Sequence, residues 1–455
     1  MGIHQMEIQA HVNLTPYLQV THHGGKHTVT GSCHKLAIQK RSVLIDCGLF
    51  QGQEHQPLDI PFSIKHIDAV LLTHSHIDHI GRLPWLIAKG YRGPIYASEA
   101  TCALVPLMLL DALVLQRLQA GQAKRVLGII KRHLKPMKYH QWIPLPLSGI
   151  KACYARFQPA GHILGSAYIE IKHNEQVVVF SGDLGPRNTP LLPDPASPKR
   201  ADFLFIESTY GDKQHESVKQ RSQRLLTIIN RSLEDGGVIL IPAFSVGRTQ
   251  ELLFDIESLM HRHQLSSRLP IILDSKLANR VTKAYRHYRK LWSKEAKVKL
   301  QQGRHPLAFE QCITIDGYRE HQRVVNRLKQ SGEPAIVIAA SGMCTGGRIL
   351  NYLKTLLPDK RTDVIFAGYQ AKGTLGHALQ SGEERVVIDD EVVEVNAQIH
   401  SMSGYSAHAD QEDLLRFIEG IDGGVKEVHL IHGVVEGKAE FAGILGETVA
   451  GRIVV

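Results

Sequence analysis

Short apolar runs recur along the first two hundred residues, and each ends in a polar residue beside a small one. Ser42-Val43-Leu44-Ile45 leads to Asp46-Cys47-Gly48, and Ala69-Val70-Leu71-Leu72 leads to Thr73-His74-Ser75-His76-Ile77-Asp78-His79-Ile80-Gly81. Residues 152–159 lead to Ala160-Gly161-His162, Val177-Val178-Val179-Phe180 to Ser181-Gly182-Asp183, and Phe203-Leu204-Phe205-Ile206 to Glu207. Runs this short and this apolar predict strands buried on both faces. Before them, Glu7 to Val43 alternates in the manner of half-buried strands, with turns at Gly24-Gly25 and Gly31-Ser32. Leu83 to Ala88 predicts a helix, as does the long region 101–140.

From residue 208 the rhythm becomes strand and helix in regular alternation. Residues 215–235 predict a charged amphipathic helix, and Val238–Pro242, Pro270–Asp274, Ala335–Ala339 and Asp363–Phe366 predict strands. That alternation predicts a parallel sheet in an α/β domain of its own. The expected division is residues 1–207 as a first domain, 208–370 as the second, and 371–455 as a return to the first. A helix over 276–294 would carry Leu277, Val281, Ala284, Tyr288 and Leu291 on one stripe. Lys276, Arg280, Lys283, His287, Lys290 and Lys294 fall on the stripe beside it.

Composition fits a globular chain of 455 residues, 43% hydrophobic and 21% charged. The longest apolar candidate, Ala103 to Leu115, is interrupted by Pro106 and Asp111, so no membrane partner is expected. Met1 to Glu7 lacks a basic segment followed by an apolar one, so no secretory leader is expected. Six cysteines lie scattered without CxxC spacing, which predicts reduced thiols, a cytoplasmic setting and no cysteine-held structural zinc. The net charge is +9, and its distribution matters more than its size. Between Lys276 and Arg304 there are ten Lys or Arg and one acid, Glu295. Between Ala112 and His140 there are seven Lys or Arg and no acid. Such stretches suit a polyanionic partner.

The chemistry concentrates at the strand ends. His74 and His76 alternate and point the same way on an extended backbone, while Asp78 and His79 follow at a turn and can face a second ion. His162 and Asp183 arrive at two further strand ends. Imidazole and carboxylate suit zinc, and two ions need several such donors each. Asp46, an acid at a neighbouring strand end, is placed to orient a ligand. Late in the chain His408 precedes a helix through Leu414, Leu415 and Phe417, and His432 ends the strand 428–432. Ser341-Gly342-Met343-Cys344-Thr345-Gly346-Gly347-Arg348 is a glycine-rich turn opening a helix, a backbone that can hold a phosphate through Ser341, Gly342 and Arg348.

HxHxDH followed by a distant His and a distant Asp resembles the metallo-β-lactamase superfamily. That resemblance implies an αβ/βα four-layer sandwich and a dinuclear zinc site. It puts His74, His76 and His162 on one zinc, Asp78 and His79 on the other, and Asp183 between them. Glu207, His408 and His432 resemble motifs A, B and C of the β-CASP nucleases, and His432 completes the second zinc. Residues 341–348, Gly368 to Gly376 and Tyr405 to Asp410 also resemble the bacterial and archaeal RNA-processing members of that branch, which includes ribonuclease J and the pre-mRNA 3′-end cleavage nuclease. DNA-acting members generally carry Val at motif C, so His432 points to RNA. The chain departs from the family at Val434-Val435, where Glu often follows, and at Asn351-Tyr352, where many members carry a His pair.

The resemblance therefore implies a zinc-dependent ribonuclease with an inserted α/β β-CASP domain, acting on single-stranded RNA, with homodimers common among relatives. Asp78 would accept the proton of the attacking water. His408, oriented by Glu207, would serve the leaving oxygen. Lys276, Arg280, Lys283, Ser341, Gly342 and Arg348 would contact RNA. The alternative on the same fold is a hydrolase of small thioesters or lactams, against which the insertion and the basic helix argue. A non-cutting scaffold would be expected to show broken ligand motifs, and none is broken.

Overall fold

The computed structural model describes residues 10–54, 56–265 and 269–455. Residues 7–9 of the predicted alternating stretch lie outside the described residues. The chain divides into two compact units, residues 1–187, 194–214 and 408–455 in the first and 188–193 and 215–407 in the second. Residues 371–407 thus group with the inserted unit, whereas the sequence reading returned the chain to the first domain at 371. The strand Gln398–Ser401 explains this, because it pairs in parallel with Asp363–Phe366 of the inserted sheet.

The first unit holds two seven-stranded sheets. One runs from Ala10–Thr15 to Leu134–Met137 in chain order. The other places Glu427–Ile431 beside Phe203–Glu207, so the last part of the chain completes a sheet begun before the insertion. Val43, Ile45, Ala69 and Leu71 of the first sheet share a core with Phe157, Ile169, Phe180 and Phe205 of the second. Leu44 and Val70, one residue out of phase, are equally buried on the opposite face. There the helix Glu99–Leu115 lies against strands Ile95–Ser98 and Leu134–Met137. On the far side of the second sheet, Val179, Leu204, Ile206 and Leu430 meet Leu414 and Phe417 of helix Gln411–Glu419 and Phe441 and Leu445 of helix Val435–Thr448. Helix, sheet, sheet and helix give the four layers. Both faces of each central strand are covered, which is why those strands read as continuous apolar runs.

The second unit is built on a six-stranded sheet whose paired neighbours are all parallel. Its helix begins at Lys276 as expected but ends at His287. A 3₁₀ turn, Arg289–Leu291, follows, and Ser293 caps a separate helix Lys294–Gln301. The buried stripe is accordingly Ala278, Val281, Thr282 and Tyr285 rather than the one drawn on a continuous helix. The long helical region of 101–140 likewise resolves into Glu99–Leu115 and Ala120–His133, broken where Arg117 takes a positive φ. No described helix is long and apolar enough to cross a membrane.

Candidate metal centre

The polar strand ends of the first unit converge. Asp46 follows strand Arg41–Ile45, the HxHxDH stretch follows Ile67–Leu71, and His162 follows Cys153–Pro159. Asp183 follows Gln176–Phe180, Glu207 ends Phe203–Glu207, and His432 follows Glu427–Ile431. Close backbone approach makes this possible. A Cβ on Gly48 would stand 1.5 Å from the Asp78 carbonyl oxygen, so only glycine lets the two loops touch.

Two donor groups form around Asp183. The first is His74, His76, His162 and Asp183, and the second is Asp78, His79, Asp183 and His432. In the first, His74 Nε2 and His162 Nε2 each lie 3.0 Å from His76 Nδ1. Two imidazole nitrogens on one tetrahedral zinc stand about 3.3 Å apart, given Zn–N of about 2.0–2.1 Å, so the spacing fits a shared ion. In the second, His79 Nε2 is 3.3 Å from His432 Nε2, and His432 Nε2 is 3.5 Å from Asp78 Oδ2. Asp183 Oδ1 is buried with no well-aligned hydrogen-bond donor, facing His79 Nε2 at 3.2 Å and His432 Nε2 at 3.6 Å. A buried carboxylate oxygen among imidazole nitrogens is suited to a cation.

Outer contacts fix the rings. Asp46 Oδ2 accepts from His79 Nδ1 at 2.7 Å, and the same carboxylate accepts from Thr73 N at 2.8 Å and Thr73 Oγ1 at 2.7 Å. Thr73 Oγ1 lies 3.1 Å from His74 Nδ1, and Thr209 Oγ1 lies 3.1 Å from His432 Nδ1. Each leaves Nε2 directed into the cluster. Asp46 and His432 hold φ of 59° and 51°, a left-handed backbone rarely adopted by non-glycine residues and concentrated at functional sites. Asp46 was legible as a polar strand end. The roles of Thr73 and Thr209 were not, since a threonine beside a ligand carries no distinctive spacing.

The electrostatics set the donor states. Burial, with His79 nearby, pushes His74 well below the ordinary histidine range, and burial lowers His76 to about 4. Both are neutral donors near neutral pH. Burial opposes ionisation of Asp78, yet His79 and His432 hold its carboxyl at about 2. Burial likewise opposes charge on His432, but Asp183 and the Asp78 hydrogen bond raise it to about 9. A bound divalent cation would displace such protons, so loading is coupled to pH.

Beside these groups, His408 Nδ1 lies 3.0 Å from Glu207 Oε2 and 3.9 Å from Asp183 Oδ2. Glu207 Oε1 accepts from Leu184 N at 2.6 Å, which pins the carboxylate. Burial works against a charged His408, and Glu207 overcomes it and raises the pKa.

The predicted RNA-contact residues all lie in the second unit. Lys276, Arg280 and Lys283 are exposed on their helix. Ser341 Oγ accepts from Thr345 N at 3.0 Å, and Gly342 O accepts from Gln370 Nε2 at 3.0 Å. Arg348 has an internal assignment: its guanidinium donates to Asp274 and to the carbonyls of Ile315 and Asp316. The departures at Asn351 and Tyr352 join the same network, Asn351 to His321 at 2.8 Å and Tyr352 to Asp274 at 2.6 Å.

Family models match three parts of the chain: the metallo-β-lactamase superfamily over residues 30–227, the Beta-Casp domain over 249–379, and the Zn-dependent metallo-hydrolase RNA specificity domain over 392–448. Ribonuclease TTHA0252 of Thermus thermophilus is 39% identical over 424 residues, covering 92% of this chain and 94% of that protein. The chain belongs to the β-CASP family. The transcription termination factor FttA of Methanocaldococcus jannaschii is 32% identical, covering 94% of this β-CASP chain and 68% of its own length. A crystal structure of a protein of unknown function from Enterococcus faecalis V583 shares the fold, with a TM-score of 0.54, 13% identity, and coverage of 96% and 97% of the two chains.

Proposed function

We propose that this β-CASP hydrolase is a zinc-dependent ribonuclease that binds two zinc ions and hydrolyses phosphodiester bonds of single-stranded RNA in processing or decay. The observation that carries the reading is one carboxylate, Asp183, shared by two donor groups and flanked by the Glu207–His408 pair. It is supported by the match to an RNA specificity domain and the relation to a ribonuclease.

In this reading His74, His76 and His162 would hold one ion, Asp78, His79 and His432 would hold the other, and Asp183 would be available to each. Divalent zinc supplies Lewis acidity toward a water and a phosphoryl oxygen. The chain's own residues do the rest. Asp78, anionic at neutral pH, accepts a proton from the attacking water. Burial opposes charge on His408, but Glu207 faces it and raises its pKa, which favours the protonated ring that donates to the leaving oxygen. Asp46 and Thr209 keep His79 and His432 aimed. Lys276, Arg280 and Lys283 offer exposed charge to the RNA backbone, and the turn at Ser341-Gly342 offers polar groups. A homodimer belongs to the same reading and is tested by sedimentation.

The decisive experiment incubates the purified chain with RNAs labelled at either end, bearing a 5′ phosphate or a 5′ hydroxyl, and sizes the products. Metal content is measured in parallel. Cleavage that is lost in His76→Ala together with bound zinc supports the reading. Full cleavage by His76→Ala overturns it.

A further inference from the structure

A basic surface in the first unit lies outside the donor groups. Helix Ala120–His133 buries Ala123, Leu127 and Ile130 and exposes Lys124, Arg125, Lys131 and Arg132. Lys124 and Lys131 are seven residues apart, as are Arg125 and Arg132, so they stand in two columns with rungs about 10.5 Å apart. Lys135 and Lys138 continue the exposed charge along the following strand and beyond it.

Ordinary surface roles account for only part of this. Lys131 and Arg132 complement the negative end of their helix, and Lys135 with Pro136 protects an edge strand. Lys124 and Arg125 lie in the middle of the helix, where neither role applies. Three other helices pair cations with their own carboxylates, as in Arg231–Asp235, Lys299–Glu295 and Arg416–Glu412. Among the described residues, none of the six cations of this surface has a carboxylate within ion-pair distance. Six like charges kept together without a counter-charge favour an anion from outside.

The surface also leads to the metal centre. Tyr139, next to Lys138, donates from its hydroxyl to Ser166 O at 2.9 Å. Ser166 Oγ in turn accepts from the backbone N of His162 at 3.1 Å. The residue that follows the last of these cations is therefore tied to the loop that carries a donor of the first group.

We infer that the exposed face of helix Ala120–His133, continued by Lys135 and Lys138, is an RNA-backbone contact that holds the strand beyond the cutting site. The identity of the polyanion rests on the ribonuclease reading; the charge arrangement does not.

The test compares three full-length proteins: the unchanged chain, K124Q/R125Q/K131Q/R132Q, and the charge-preserving K124R/R125K/K131R/R132K. Binding of a labelled oligouridylate of about 30 nucleotides is followed by anisotropy across a KCl series, each protein carrying His76→Ala so that the probe survives. Each phosphate contact on a single strand contributes about 0.7 to the slope of log affinity against log salt, so the glutamine variant should lose about 2–3 from that slope. The charge-preserving variant should keep it. Equal slopes, with affinities within about twofold, for the glutamine variant and the unchanged chain overturn the inference, as does loss of slope in both variants. Cutting is assayed separately without His76→Ala. If no RNA is cut, the ribonuclease reading fails and the salt slopes still decide the surface.

Discussion

His408 Nδ1 lies 3.0 Å from Glu207 Oε2, a contact between residues 201 apart in the chain. Glu207→Gln keeps the shape and removes the charge that raises the His408 pKa. Loss of a positioned acid costs roughly 10²-fold or more in kcat, and KM should move little. With its pKa lowered, His408 loses its proton at lower pH, so the alkaline limb of the pH–rate profile should shift to lower pH. An unshifted limb would show that His408 is not the acid.

Asp46 belongs to neither donor group, yet it accepts from His79 at 2.7 Å. Asp46→Ala should weaken metal affinity by about 10–100-fold, read by chelator competition on the folded protein. Thr209→Val should act in the same direction through His432.

Gly48→Ala would put a methyl 1.5 Å from the Asp78 carbonyl oxygen. The loops must separate, at a cost of about 1–3 kcal/mol. A lower Tm should accompany reduced metal content, because the displaced loop carries Asp78 and His79.

Arg348 and the basic helix should part company experimentally. Arg348→Ala removes one of three side-chain partners of the fully buried Asp274, leaving His321 and Tyr352, and should cost about 1–3 kcal/mol. Lys276→Gln, Arg280→Gln and Lys283→Gln change exposed side chains and should alter stability by less than about 0.5 kcal/mol. Urea melts of the four variants check the contrast, and RNA binding should fall only in the last three.

Stability should decline with rising pH through Glu251. Burial lifts its carboxyl from 4.5 to about 7, with Arg221 opposing. Between those values the native group holds a proton that the unfolded chain has released, so stability falls as pH rises across that window. Glu251→Gln removes the titration. Relative to the unchanged chain its Tm should rise progressively from pH 5 to pH 8.

Much of this was legible because strand ends have a grammar. Val177–Phe180 reads as buried from its composition, and the Ser-Gly-Asp after it reads as a site because the same pattern of apolar run, small residue and polar donor recurs at several strand ends. His408 and His432 were found through residue types beside element boundaries and through motif resemblance. The break after His287 was missed because periodicity continues through it, while the Ser293 cap that starts a new helix is a local hydrogen bond. The end of the insertion was missed because a four-residue strand, Gln398–Ser401, belongs to whichever sheet offers it an edge.

The sequence by itself determined the candidate donors and their order, since metal chemistry requires particular side chains and buried strands require particular apolar runs. Tertiary structure decided what those residues share. Only long-range pairing brings His432 to 3.3 Å from His79 and commits Arg348 to Asp274 rather than to solvent. Those contacts depend on distances between elements far apart in the chain, and side-chain spacing along one element cannot encode them.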